Sequence, residues 1–127
     1  ISCHIRRGDY VNLQDKYTLL TDTDYYHKAF DAMDDGVILI FSNDIDWCRE
    51  NFKFDGRKFV FIQEEDYLEL YLMSMCKHNI IANSSFSWWG AWLNVNESRK
   101  VIAPSQWFAV DENRKDVDLI PQDWIEM

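Results

Sequence analysis

The 127-residue chain has only 2 Pro, 4 Gly and 3 Cys, and each scarcity narrows what it can be. So little Pro and Gly excludes a collagen-like or linker-rich chain, and no repeat or low-complexity tract is visible. Cys3, Cys48 and Cys76 stand far apart with no CxxC pair. That spacing fits reduced thiols packed in a core and excludes a disulfide framework or a paired-cysteine zinc site. No apolar run approaches the roughly 20 residues that cross a bilayer, and no signal-peptide pattern is visible. Positive charge is also short, 13 Lys and Arg against 22 Asp and Glu for a formal net charge of −9. A general nucleic-acid surface, which needs clustered cations over an extended face, is excluded. An anionic ligand must therefore be held locally.

What is present is 47% hydrophobic residues, enough for one core and one domain over residues 1–127. The chain opens on ISCHIR, already a buried-strand pattern, so the expectation is that it begins inside a fold and lacks an amino-terminal half. Four further strand candidates come after it: VILIFS at 37–42, KFVFIQ at 58–63, NIIAN at 79–83 and KVIAP at 100–104. Their apolar positions are near-continuous, as strands covered on both faces require. Between them, 23–33, 43–51, 66–77 and 86–94 have helical period. This alternation predicts an α/β fold, a doubly wound parallel sheet of Rossmann-like type with ligands beyond the carboxyl ends of the strands. Ser42, Asn43 and Asp44 are expected to cap the helix after the second strand, with Asp46 favourable in its first turn. The closing DLIPQDWIEM is expected to pack through Trp124 and Ile125.

Two motifs at strand ends carry candidate chemistry. After ISCHI come Arg6, Arg7, Gly8, Asp9 and Tyr10. Arginine matches phosphate oxygens in bidentate fashion and glycine lets backbone approach them, with Asp9 placed to orient an arginine. The bland alternative is a surface ion-pair network, and the Arg7-Gly8-Asp9 adhesion tripeptide is too short to carry weight. His4 shares a strand face with Arg6 by period two and could meet a nucleoside. The second motif is Asn83-Ser84-Ser85-Phe86-Ser87-Trp88-Trp89-Gly90. Ser84, Ser85 and Ser87 beside free helix amides make an anion seat; the alternative is a serine cap on a tryptophan-rich core helix. Together the motifs suggest two sides of one diphosphate pocket. The glycosylation sequons at Asn83 and Asn96 are discounted. Three Asp-x-Asp triplets, at Asp22, Asp44 and Asp116, are what so acidic a chain gives by chance, and capping accounts for Asp22 and Asp44. No metal site is assigned.

HIRRGDY, DYYHKAF, FSNDIDWCRENF, LMSMCKHNIIANSSFSWWGAWLN and KVIAPSQWF, in that order over nearly the whole chain, resemble the α-1,2-fucosyltransferases of glycosyltransferase family 11. The resemblance implies the carboxyl-terminal, donor-binding half of a GT-B-like enzyme. Such an enzyme, inverting and metal-independent, moves L-fucose from GDP-β-L-fucose to the 2-hydroxyl of a terminal galactoside. It casts Arg6 as the main diphosphate ligand, Arg7 in support, His4 at the guanosine, and Ser85, Phe86 and Ser87 as a second clamp. Glu69, where the family often has Asp, is a candidate for the guanine edge, and Asp44 a second candidate for the nucleoside. Arg6 and Asp9 are the catalytic candidates. The implied partners are GDP-fucose as donor substrate, with no further cofactor, and a galactose-terminated glycan whose recognition should lie largely outside this chain. The alternative is a non-catalytic nucleotide-sugar-binding or interaction domain. The expected place is the bacterial cytoplasm, with attachment to the membrane periphery the other option.

Overall fold

The computed structural model describes residues 1–54, 56–110 and 118–127. Six strands form one sheet: β1 (Ser2–Ile5), β2 (Val37–Ser42), β3 (Lys58–Phe61), β4 (Asn79–Ile80), β5 (Val101–Ala103) and β6 (Ile125–Glu126). Their order is β3-β2-β1-β4-β5-β6, and every neighbouring pair is parallel. Helices α1 (Tyr25–Asp31), α2 (Ile45–Asn51), α3 (Asp66–Met75) and α4 (Ser85–Trp92) fill the crossovers. This is the α/β, Rossmann-like doubly wound arrangement that the alternation predicts, its strand order reversing between β1 and β4.

Period-two alternation divides the core between the faces of the sheet. Cys3, Ile5, Ile38, Ile40, Ile80 and Ile102 pack with residues of α1 and α2. Ile81, Val101 and Ala103 pack instead with Ala91 of α4, Trp107 and Trp124. Both faces are covered, so β1 is buried at every position. At the edge, β3 exposes Lys58 and Val60, where near-continuous burial was expected; only one flank of that strand is paired. At the opposite edge the closing segment supplies a sixth strand that the apolar pattern did not reveal. Trp124 is buried there as expected, but Ile125 is 38% exposed.

Helix starts follow expectation at Ser42 and depart from it at the aspartates. Asp44 makes no side-chain capping bond to α2; the Ser42 hydroxyl accepts from the Asp44 amide at 3.0 Å instead. Asp22 lies in a 3-10 turn ahead of α1, and it is the Thr23 hydroxyl that accepts from the Tyr25 amide. Asp46 is in the first turn of α2 but pairs with Arg49 at 2.8 Å. Helices α3 and α4 approach closely because position 90 is glycine. A Cβ there would sit 3.0 Å from the Met73 Cβ.

Candidate functional site

The crevice at the reversal point is walled by the segments after β1 and β4. The two walls are tied together: the Tyr10 hydroxyl donates to the Asn83 carbonyl at 2.9 Å. Arg6 donates through Nη2 to Asp9 Oδ2 at 2.8 Å and lies over the Tyr10 ring, 5.5 Å from its centroid. The other carboxylate oxygen of Asp9 accepts from Asn43 Nδ2 at 3.0 Å. Asn43 Oδ1 in turn accepts from the Arg7 backbone amide at 3.0 Å. This web requires Gly8, because a Cβ at that position would fall 2.8 Å from Asn43 Nδ2. Partial burial alone would raise the Asp9 pKa, but the Arg6 bond and charge and the Asn43 bond outweigh it and hold the carboxyl below its usual range.

Arg7 turns away from its neighbour. Its Nη1 donates to Asp44 Oδ2 at 2.7 Å, and its guanidinium lies 4.2 Å from the Trp47 ring centroid, a stacked cation. One arginine is thus tied to its own loop and the other to the start of α2.

A cavity of about 290 Å³ opens beside Arg6, with His4, Asn43, Ile45, Glu69 and Phe86 in its lining. His4 is 3% exposed, and burial, with the Arg6 charge adding to it, pushes its pKa down to about 3. The ring is therefore neutral near pH 7. Its Nδ1 is buried without a partner, and its ring centroid lies 5.5 Å from that of Phe86. Glu69, carried by α3, is 8% exposed and accepts from the Glu64 amide at 3.2 Å. Burial pushes its pKa up; the Glu64 amide bond opposes this, and the Asp66 and Glu64 charges add to it. A neutral imidazole with a spare nitrogen, a carboxylate and an arginine in one concave space suit a polar ligand that carries both donors and negative charge.

The serines are dispersed. Ser84 is buried at the start of α4 with no side-chain capping bond. The Ser87 hydroxyl faces inward, accepting from the Ala82 amide at 3.2 Å. Ser85 borders a separate cavity of about 190 Å³ with Trp88, Trp89 and Trp107. The structure thus gathers His4, Arg6, Glu69 and Phe86 around one space and sets Asp9 against Arg6. Arg7 and Asp44 form their own pair. Asn43, which the sequence suggested only as a cap, bridges Asp9 and Arg7 and lines the cavity. Its position directly after the end of β2 was the available signal. Among the described residues no group of three or more His, Cys, Asp or Glu could hold a metal ion; Asp116, of the third Asp-x-Asp triplet, lies outside the described residues. No described helix is long and apolar enough to cross a membrane.

Comparison with known proteins gives this geometry a context. The chain is 40% identical to an O-antigen biosynthesis glycosyltransferase, WbnK, of Escherichia coli, over 99% of the chain and 44% of that protein. It is 37% identical to an alpha-1,2-colitosyltransferase of E. coli, over the whole chain and 47% of that protein. It is 31% identical to galactoside alpha-(1,2)-fucosyltransferase 2 of Mus musculus, over 73% of the chain and 30% of that protein. The chain therefore spans less than half the length of these relatives. No solved structure matches it. The family model described as glycosyl transferase family 11 matches residues 1–127 from end to end, and the chain belongs to that family.

Proposed function

We propose that this chain forms the donor site of an inverting glycosyltransferase that moves L-fucose from GDP-β-L-fucose to the 2-hydroxyl of a terminal galactoside. In this reading it is the carboxyl-terminal half of a GT-B-like fold, with the acceptor half elsewhere in a longer polypeptide. The observation that carries the reading is the cavity uniting Arg6 with His4, Glu69 and Phe86 beside the carboxyl ends of β1 and β4. Guanine presents an N1–H and an amino group side by side, and a carboxylate at Glu69 accepts from both. Neutral His4 offers its spare nitrogen to the nucleoside, and Phe86 supplies an apolar wall.

Arg6 then lies on the diphosphate. As the bond from the fucose anomeric carbon to the phosphate oxygen breaks, its electron pair goes to GDP, and a fixed guanidinium stabilises the growing charge. The acceptor hydroxyl oxygen bonds to the opposite face of an oxocarbenium-like sugar, which inverts the centre, and its proton passes to water. With that cation in place, charge neutralisation needs no metal in this reading. Asp9 aims Arg6; a carboxyl held below its usual range is a weak base, so its contribution to catalysis is positioning.

The colitosyltransferase relative favours a second reading of the sugar alone: colitose, which lacks the 3-hydroxyl of fucose, on the same nucleotide. Isothermal titration with GDP, GDP-fucose, GDP-colitose and ADP tests both readings. The expected result is guanine-selective binding with the stronger sugar nucleotide naming the donor. Absence of GDP binding at millimolar ligand would sink the donor site.

A further inference from the structure

A larger cleft, of about 500 Å³, shares no lining residue with the cavity of His4 and Arg6. Tyr10 stacks on Tyr17 with ring centroids 4.5 Å apart and planes within 7°, and Tyr17 is part of the cleft wall. Tyr10 thus contacts both Arg6 of the proposed diphosphate site and Tyr17 of this second space. The cleft falls within the roughly 300–1,000 Å³ typical of small-molecule sites.

Its walls are two loops, one after β1 and one after β5, and they are fastened to each other. Tyr17 and Phe108 form an antiparallel bridge, and the Ala109 amide donates to the Lys16 carbonyl at 3.0 Å. Thr18 donates from its hydroxyl to the Phe108 carbonyl at 3.0 Å. Asn83, fully buried, donates from Nδ2 to the carbonyls of both Thr18 and Trp107 at 2.8 Å. The same residue accepts the Tyr10 hydroxyl on its backbone carbonyl. The two described walls are therefore fastened at several points, and Asn83 bonds to both of them.

The lining combines aromatic rings with uncommitted polar groups. Tyr17 and Phe108 have ring centroids 5.9 Å apart. Gln106 makes no side-chain hydrogen bond to a described residue, nor does the Tyr17 hydroxyl, and Gln14 uses only its Nε2, toward the Val11 carbonyl. Lys16 is not in the lining, and no acidic or basic side chain among the described residues is. A cleft whose described lining residues are uncharged, with aromatic walls and amide groups, matches a neutral pyranose ring. The C–H face of the sugar packs on aromatic carbon, and its hydroxyls both donate to and accept from primary amides.

We infer that the cleft between the loops of Tyr17 and Gln106 is a subsite for a neutral pyranoside, the acceptor sugar, so that this chain carries part of acceptor recognition itself. The inference rests on the donor-site reading for which sugar is meant, but the cleft and its chemistry are separate from the His4 cavity. Tyr17 and Gln106 are its binding residues, and Asn83 positions them.

The test is saturation-transfer NMR of methyl β-D-galactoside with the chain, alongside GDP titration of the same samples. The unmodified chain is expected to give ring-proton transfer from the galactoside. Gln106→Ala, at an exposed side chain with no hydrogen bond to a described residue, is expected to weaken the sugar roughly fivefold, the worth of about one neutral hydrogen bond. GDP affinity should be unchanged. Tyr17→Ala should abolish the transfer, and Gln14→Ala, a smaller change in the same loop as Tyr17, guards against misfolding of the tyrosine variant. Galactoside transfer that is absent while GDP binds, or that persists undiminished in Gln106→Ala and Gln14→Ala, overturns the inference and leaves the donor site standing. Galactoside transfer sensitive to these variants without any GDP binding supports the cleft and overturns the donor reading.

Discussion

Arg7 is locked to Asp44 by an ion pair of 2.7 Å, with both side chains less than a third exposed, while its neighbour Arg6 points to Asp9. Two consecutive arginines thus do different work. Arg7 joins the loop after β1 to the start of α2, and Arg6 faces the cavity that holds His4 and Glu69.

Removal of Arg6 should therefore act on ligand and removal of Arg7 on the fold. Arg6→Ala is expected to weaken GDP by about tenfold to hundredfold, the worth of a charged hydrogen bond, with little change in the urea midpoint. Arg7→Ala is expected to cost about 1–3 kcal/mol of stability and less affinity than Arg6→Ala does. Calorimetry and denaturant unfolding on the two variants read both quantities; equal affinity losses would contradict the division.

Glu69→Gln replaces an acceptor-only carboxylate with a group whose amide end repels the guanine donors. A loss of about tenfold in GDP affinity is expected, and a narrower preference for GDP over ADP. The ratio of the two dissociation constants is the measurement, since a general loss of structure would weaken both nucleotides alike.

His4 gives stability a pH dependence of known sign. Its folded pKa is about 3 against an ordinary 6.5, so below pH 6.5 the unfolded chain binds a proton that the folded chain refuses. Stability should fall as pH drops from about 6.5 toward 3, by up to ~1.4 kcal/mol per pH unit. His78, also lowered first of all by burial, acts in the same direction. Glu69, raised above its ordinary 4.5, acts in the opposite one, its share being present at low pH and lost as pH rises through its folded value. His4→Gln should flatten the profile between pH 6 and 4, measured by urea unfolding at several pH values. An unaltered slope would mean that His4 is protonated in the fold.

Gly90 lies where α4 meets α3 at Met73. Gly90→Ala places a Cβ at 3.0 Å from the Met73 side chain, and the overpacking should cost about 1–3 kcal/mol. Gly56→Ala serves as a contrast: nothing lies within 4 Å of a Cβ there, but the backbone has φ of +80°, so its smaller cost is one of conformation. Melting temperatures of the two variants compare packing with backbone strain.

Much of the architecture was legible along the chain because burial on both faces leaves continuous apolar runs, as at Ile38, Ile40 and Phe41. The edges were harder. Ile125 belongs to a strand of two residues, too short for any period to register, and its pairing with β5 is a long-range event. At the helix starts the hydroxyls of Ser42 and Thr23 accept the amides; Ser42 was among the expected caps, whereas the Asp44 carboxylate is taken by Arg7.

The candidate site divides in the same way. Residue types and their position after strands were enough to single out His4, Arg6, Arg7, Asp9 and the Asn83 to Ser87 turn, since local order dictates which side chains emerge where a parallel strand ends, whereas Glu69, inside α3, was named only by the family resemblance. Which arginine faces the cavity is not a local property: it depends on Asp44 and Trp47, about 40 residues further along the chain. The inward turn of Ser87, the bridge made by Asn43 and the clamp of Asn83 on two distant loops likewise arise from packing of segments far apart in sequence. Identity of the candidate groups was written in the sequence, but their partners were decided by the tertiary structure, because a hydrogen bond goes to the acceptor that folding brings within reach.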